Sequence, residues 1–152
     1  MTNEALLDTA QQLLTEWTKA TAKPTALRLD VQLDAADLPR AAAALHQARW
    51  GFLTAITGLD SVKANELEVL YHFVNGAANV NLRVRIPREN ASIPSVCGSI
   101  PAATFFEREL AEMFGITVVG TPNSDRLFLS EEWPTNAPPL RKDFVMPQLQ
   151  EN

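Results

Sequence analysis

At 152 residues the chain has room for one domain with a real core and not for two; its 46% hydrophobic and 20% charged content is that of an ordinary soluble protein. A formal net charge of −5 argues against non-specific nucleic-acid binding. The single cysteine, Cys97, excludes an internal disulfide and an iron–sulfur cluster held by this chain alone.

The first predicted element is a helix with Leu6, Ala10, Leu13, Leu14 and Trp17 at helical spacing, capped by Asn3 and ending before Pro24. Leu27, Leu29, Val31 and Leu33 then alternate with Arg28, Asp30 and Gln32, the period of a half-buried strand. A second helix is expected from Asp37, with Pro39 in its first turn and Leu38, Ala42 and Leu45 inward. A β-prone run, Phe52–Thr57, leads to an expected turn at Gly58-Leu59-Asp60.

Leu67, Val69, Tyr71 and Phe73, then Val80, Leu82, Val84 and Ile86, read as an antiparallel hairpin about Asn75-Gly76 with one buried face. Arg83 and Arg85 point outward on the wet side, within reach of Glu66 or Glu68. After Pro87 a connection through Ile93-Pro94-Ser95-Val96 reaches a last helix, Ala102–Phe114, with Phe106, Leu110 and Met113 inward and Gly115 as its stop. The expected fold is therefore of α+β type: order α-β-α-β-β-β-α, a small, largely antiparallel sheet with helices on one face, domain 1–115. Residues 116–152 follow as an extended arm.

That arm carries five of the ten prolines yet keeps Leu127, Phe128, Leu129, Trp133, Leu140 and Phe144. This is too much apolar surface for a solvated tail, so the arm is expected to become ordered on a partner. Leu140, Trp133 and Phe144 would be its anchors, with Arg141 as a planar fork for a carboxylate. Trp133 reads equally as a lid on the chain's own core.

On the last helix, Arg108 and Glu112 are placed to pair along one face. Glu107 and Glu109 point roughly 200° apart, which argues against an acid/base pair. The helix charges are either a solvated face or a clamp on the irregular backbone that follows. A free-standing hydrolase would have to draw on Glu107, Glu109 or Asp125, with no nucleophile–base pair. His46, His72 and Cys97 show no metal-ligand spacing. The sequence contains no Gly-rich phosphate loop, Gly-x-Ser-x-Gly or paired-cysteine motif. No catalytic, cofactor-binding or metal residue is assigned. The apolar runs are shorter than the roughly 20 residues of a membrane helix, and no signal peptide is visible in MTNEALLDTA; the chain is expected to stay where it is made.

Glu107-Arg108-Glu109, Glu112-Met113-Phe114-Gly115-Ile116, Gly120-Thr121-Pro122, Arg126, Glu131-Glu132-Trp133 and Pro139-Leu140-Arg141-Lys142-Asp143-Phe144 together resemble the 30-kDa (C) subunit family of respiratory complex I. Leu53-Thr54, Gly58-Leu59-Asp60, Glu68 to Phe73, Leu82 to Pro87 and Ile93 to Val96 extend the resemblance over roughly residues 50–144. It departs at Thr121, where the family has His, at Glu112, where it has Asp, and at Ser130, where it has Pro.

The resemblance implies a non-catalytic, cofactor-free structural subunit of the peripheral arm of a proton-pumping NADH:quinone oxidoreductase. It would dock on the large quinone-site subunit, near the small iron–sulfur subunit, through Glu107, Arg108, Glu109, Glu112, Arg126, Trp133, Leu140, Arg141, Lys142, Asp143 and Phe144. Iron–sulfur clusters, NADH, FMN and quinone would belong to partner subunits, and membrane attachment on the cytoplasmic side would be indirect. Trp133-Pro134 and the short inter-strand loop are similar also to the related subunit of membrane-bound, energy-converting [NiFe] hydrogenases, where the partner holds nickel.

Overall fold

The computed structural model describes residues 1–146 and 148; residues 147 and 149–152, the end of the expected arm, lie outside the described residues. Helix α1 (Asn3–Leu14) is capped by Thr2, whose hydroxyl accepts from the Ala5 N–H at 3.2 Å, one residue earlier than expected. Leu7, Ala10 and Leu14 form its buried stripe. The helix ends sooner than Pro24 suggests: a 3-10 turn at Thr15–Trp17 closes it, and strand β1 (Ala20–Thr25) follows. All six residues of β1 are exposed. Pro24 is tolerated because β1 is an edge strand.

Strand β2 (Arg28–Gln32) buries Leu29 and Val31 as the alternation predicts. Helix α2 (Leu38–Gln47) follows, with Pro at its start and Leu38, Ala41, Ala42 and Leu45 inside. Strands β3 (Phe52–Ser61), β4 (Glu66–Asn75) and β5 (Ala78–Pro87) complete a five-stranded sheet, order β1-β2-β5-β4-β3. Within this sheet only β2 and β5 pair in parallel. Gly76, at φ +60, supplies the left-handed residue of the tight β4–β5 turn. One face of β4 and β5 is fully withdrawn from water, from Leu67 to Phe73 and from Val80 to Ile86. Each such side chain contributes roughly 1.5–3 kcal/mol by burial.

Two expectations are corrected here. Gly58-Leu59-Asp60 is not a turn but the second half of β3. The glycine is there because the Phe114 ring lies 2.6 Å from where a Cβ would stand. The outer face of the sheet is also more than a wet surface. Asp30 is 3% exposed, and its carboxylate accepts from Arg28 at 2.8 and 2.9 Å, from Arg83 at 3.0 Å and from Asn81 at 2.8 Å. Burial pushes the Asp30 carboxyl up, but these donors outweigh it and hold it below the usual range. Arg83 and Arg85 both pair with Glu68, the second at 3.3 Å.

After β5 the chain forms β6 (Ser92–Pro94), then helix α3 (Thr104–Phe114), then β7 (Thr117–Val119), which pairs in parallel with β6. These two short strands have no clear signature in the sequence. Ile116 and Val118 are buried, so the folded domain runs past residue 115 and the irregular ribbon begins at Gly120. The architecture is otherwise the expected one, a mostly antiparallel sheet with helices on one side.

Candidate interaction surface

Helix α3 deploys its charges in three directions. Glu107 shares a face with Leu110 and Phe114, at i, i+3 and i+7, and is fully buried with them. Its carboxylate accepts from the Val96 N–H at 2.7 Å, the Ser95 hydroxyl at 2.8 Å and the Cys97 thiol at 3.1 Å. It therefore clamps the 95–97 loop, not the ribbon. Burial, with the Glu107 carboxylate beside it, pushes the Cys97 thiol up to about 11. Tyr71 is raised too, by burial first and then by Glu107 and Cys97.

Arg108 and Glu112 do not pair with each other as expected; both hold the ribbon. Glu112 accepts from the N–H groups of Leu127, Phe128 and Leu129 at 3.1, 2.8 and 3.1 Å. Arg108 donates to the carbonyls of Asp125 and Arg126 at 2.9 and 2.8 Å. Of the two readings of these charges, the clamp is the one realised. Glu109 points away, exposed, with no hydrogen bond or ion pair among the described residues. Glu107, Glu109 and Asp125 thus sit in the core, on the outside of α3 and on the ribbon, and they converge on no common point.

Within the ribbon, Arg126 donates to the carbonyls of Ser130 and Trp133. Trp133 donates through Nε1 to the Ala137 carbonyl at 2.8 Å and stacks on Phe144, ring centroids 5.9 Å apart and 17° between planes. Two of the three expected anchors are thus used on each other, and Leu140, at 54% exposed, is the one still presented to solvent. Arg141 is likewise no free fork. It donates to the carbonyls of Phe114 at 2.6 Å and Arg88 at 3.3 Å.

A latch with no counterpart in the sequence analysis ties down the end of the ribbon. Asp60, at the end of β3, accepts from both Arg88 Nε and Nη2, at 2.8 and 2.9 Å, and from the Lys142 N–H at 2.8 Å. Asp143 accepts from the same Arg88 at 3.0 Å. Burial pushes the Asp60 carboxyl up, yet Arg88, the Lys142 N–H and the nearby Arg141 outweigh it and hold it below its ordinary value. Asp60 closes the Gly58-Leu59-Asp60 motif and Arg88 follows Pro87, but no spacing rule ties either to residue 142.

The described part of the ribbon is therefore bonded to its own domain, contacts that the sequence reading did not include. Its polar backbone is held from beneath while Phe128, Leu140, Val145 and Met146 remain exposed. Phe105 on α3, 58% exposed, adds to the same class of side chain. A cleft of about 340 Å³ separates α3 from the ribbon, lined in part by Arg108, Glu112, Trp133 and Asn136. A smaller one, about 150 Å³, joins Ile56, Thr57 and Gly58 of β3 to Glu109, Phe114 and Leu140. No group of metal-ligating side chains clusters among the described residues.

Residues 31–150 match the family model for the respiratory-chain NADH dehydrogenase 30 Kd subunit. The chain belongs to that family, as the motifs from residue 50 onward imply. It is 35% identical over 103 residues to the C subunit of NADH-quinone oxidoreductase from Roseiflexus sp. (strain RS-1), covering 66% of this chain and 58% of that protein. It is 32% identical over 112 residues to formate hydrogenlyase subunit 5 of Escherichia coli (strain K12), covering 71% of this chain and 20% of that one. The chain thus spans about three fifths of one relative and a fifth of the other. A chain of the archaeal membrane-bound sulfane sulfur reductase has the same fold, with a TM-score of 0.80 at 23% identity over 94% of this chain and 87% of that chain.

Proposed function

We propose that this chain is a cofactor-free structural subunit of the peripheral arm of a proton-pumping NADH:quinone oxidoreductase. Its ribbon docks on the large quinone-site subunit, beside the small iron–sulfur subunit, and supports electron transfer to quinone by fixing their arrangement. The observation that carries this reading is the division of labour in the ribbon. Its backbone is bonded by Arg108, Glu112, Arg126 and Asp60, and Arg141 ties its end to the Phe114 and Arg88 carbonyls, whereas Phe128, Leu140, Val145 and Met146 face outward. Holding apolar side chains in water on a stiffened backbone makes sense when another polypeptide covers them. Exposed Glu109, one helical turn after Phe105 and lining a cleft with Leu140, fits a cationic side chain on that partner.

Iron–sulfur clusters, FMN and quinone then belong to partner subunits. Cys97 supports this, since a buried thiol against a carboxylate is a poor ligand donor. No helix among the described residues is long and apolar enough to cross a membrane; on this reading membrane attachment, on the cytoplasmic side, is indirect and runs through the complex.

The relationship to formate hydrogenlyase subunit 5 favours a second reading, the equivalent subunit of an energy-converting [NiFe] hydrogenase. Affinity purification of the tagged full chain from native membranes tests both. Iron–sulfur partners and quinone reduction without nickel support the first reading. Nickel with hydrogen evolution from a low-potential donor supports the second. A chain that emerges alone and monodisperse refutes both.

A further inference from the structure

The two edges of the five-stranded sheet are built differently. The β1 edge carries Lys23 and Pro24, and its register breaks between Ala22 and Thr25. A lysine, a proline and an irregularity are the ordinary means of stopping an edge strand from recruiting another chain. The β3 edge has almost none of this protection. From Phe52 to Leu59 it runs eight residues without a charge or a proline, and its one irregularity, between Leu53 and Ala55, lies near its start. Phe52 is 67% exposed and Leu59 45% exposed, and Thr54 and Thr57 are exposed between them. Among the described residues, no backbone group of Phe52–Ser61 bonds to any element but β4. A row of unpaired N–H and C=O groups about 26 Å long is thus left on an uncharged, apolar strand.

We propose that the outer edge of β3 accepts an extended, uncharged segment of the partner polypeptide as a sixth strand of the sheet. This rests on the reading of the chain as a docking subunit. Continuity identifies the occupant. The cleft formed by Ile56, Thr57, Gly58, Glu109 and Leu140 joins β3 directly to the outward-facing part of the ribbon, so a polypeptide covering Leu140 passes along β3. Main-chain hydrogen bonds from β3 would supply affinity, and the exposed Phe52 and Leu59 would supply contacts for alternate side chains. The absence of charge along Phe52–Leu59 selects a neutral segment, since a buried unpaired charge on the incoming strand would be costly.

Hydrogen exchange of the full-length chain, alone and within the purified native complex, tests this. The outward-facing amides of 52–59, those not bonded to β4, should exchange at least tenfold more slowly in the complex, and those of β1 should be unchanged. If ribbon amides gain protection and β3 amides do not, the added strand is refuted and the docking reading stands. If neither gains protection, the docking reading fails and takes this proposal with it. Concentration-dependent dimerisation of the isolated chain, with protection confined to β3, would assign the edge to a second copy and overturn the proposal. Leu59→Lys changes an exposed side chain and should keep the melting temperature while lowering assembly yield at least tenfold; Ala22→Lys on β1 should assemble normally. Equal yields of the two variants would also overturn it.

Discussion

The α+β domain and the ribbon solve the same problem, fixing a backbone, with opposite materials. From α1 to β7 the structure is held by apolar side chains turned inward, and hydrogen bonds run within helices and ladders. From Gly120 onward the described residues form no ladder, and charged side chains take its place: Glu112 accepts three successive N–H groups, Arg108 donates to two successive carbonyls, and Asp60 and Arg141 hold the far end. The difference has a consequence for exposure. A segment held by its backbone need not bury its side chains, so its apolar groups remain free to be presented. Glu107 stands at the border, a charged residue that serves the domain's interior.

The sharpest way to break this contrast is to remove the two α3 carboxylates one at a time. Glu107→Ala strips acceptors from the Val96 N–H, the Ser95 hydroxyl and the Cys97 thiol inside the core. It should cost about 4 kcal/mol, lowering the melting temperature by roughly ten degrees. Glu112→Ala frees N–H groups at 127–129 that lie at the surface and can turn to water. It should cost less than about 1 kcal/mol globally while exchange at 127–129 accelerates and assembly falls. Similar melting temperatures for the two variants would show that domain and ribbon are one cooperative unit.

The domain was legible in the sequence where water lies on one side only. Leu67 to Phe73 and Val80 to Ile86 alternate because one face is core, and period two records that directly. β1 left no such trace, since both of its faces are exposed and nothing selects an alternation. Polarity misled where burial is compensated: Asp30, Asn81 and Glu107 lie within a few per cent of full burial, each beside its donors or acceptors. For Glu107 a signal existed, its i, i+3, i+7 spacing with Leu110 and Phe114. The ribbon's motifs pointed to its importance but not to its contacts, because Asp60 and Lys142 are joined only by the fold.

Acid probes the far end of the ribbon more gently. Asp60 has a folded-state value below its ordinary 3.8. Its contribution is therefore fully present above that value and is lost as pH falls through the lower folded one. Exchange protection of the Lys142 N–H, corrected for the intrinsic rate, should be constant from pH 7 to about 4 and decline below that. Asp60→Asn should abolish the step. Asp30 is depressed as well, so a step that persists in Asp60→Asn would reassign the effect to the sheet and leave the latch without a role in it.

The smallest expected difference separates two adjacent cations. Arg141 donates to the Phe114 and Arg88 carbonyls, joining the end of α3 to the segment after β5 beneath the ribbon. Lys142 contributes its backbone N–H to Asp60, and its side chain is exposed without a hydrogen bond among the described residues. Arg141→Ala should therefore loosen residues 138–144 by about 1.5 kcal/mol, read as faster exchange there and as reduced assembly. Lys142→Ala should stay within about 0.5 kcal/mol of the parent, because alanine supplies the same N–H. Both lose one positive charge, so net charge cannot distinguish them. Equal loosening would mean that the ribbon's end is held by charge rather than by directed bonds to carbonyls, and the contrast with the domain would weaken at the one place where the two regions are tied together.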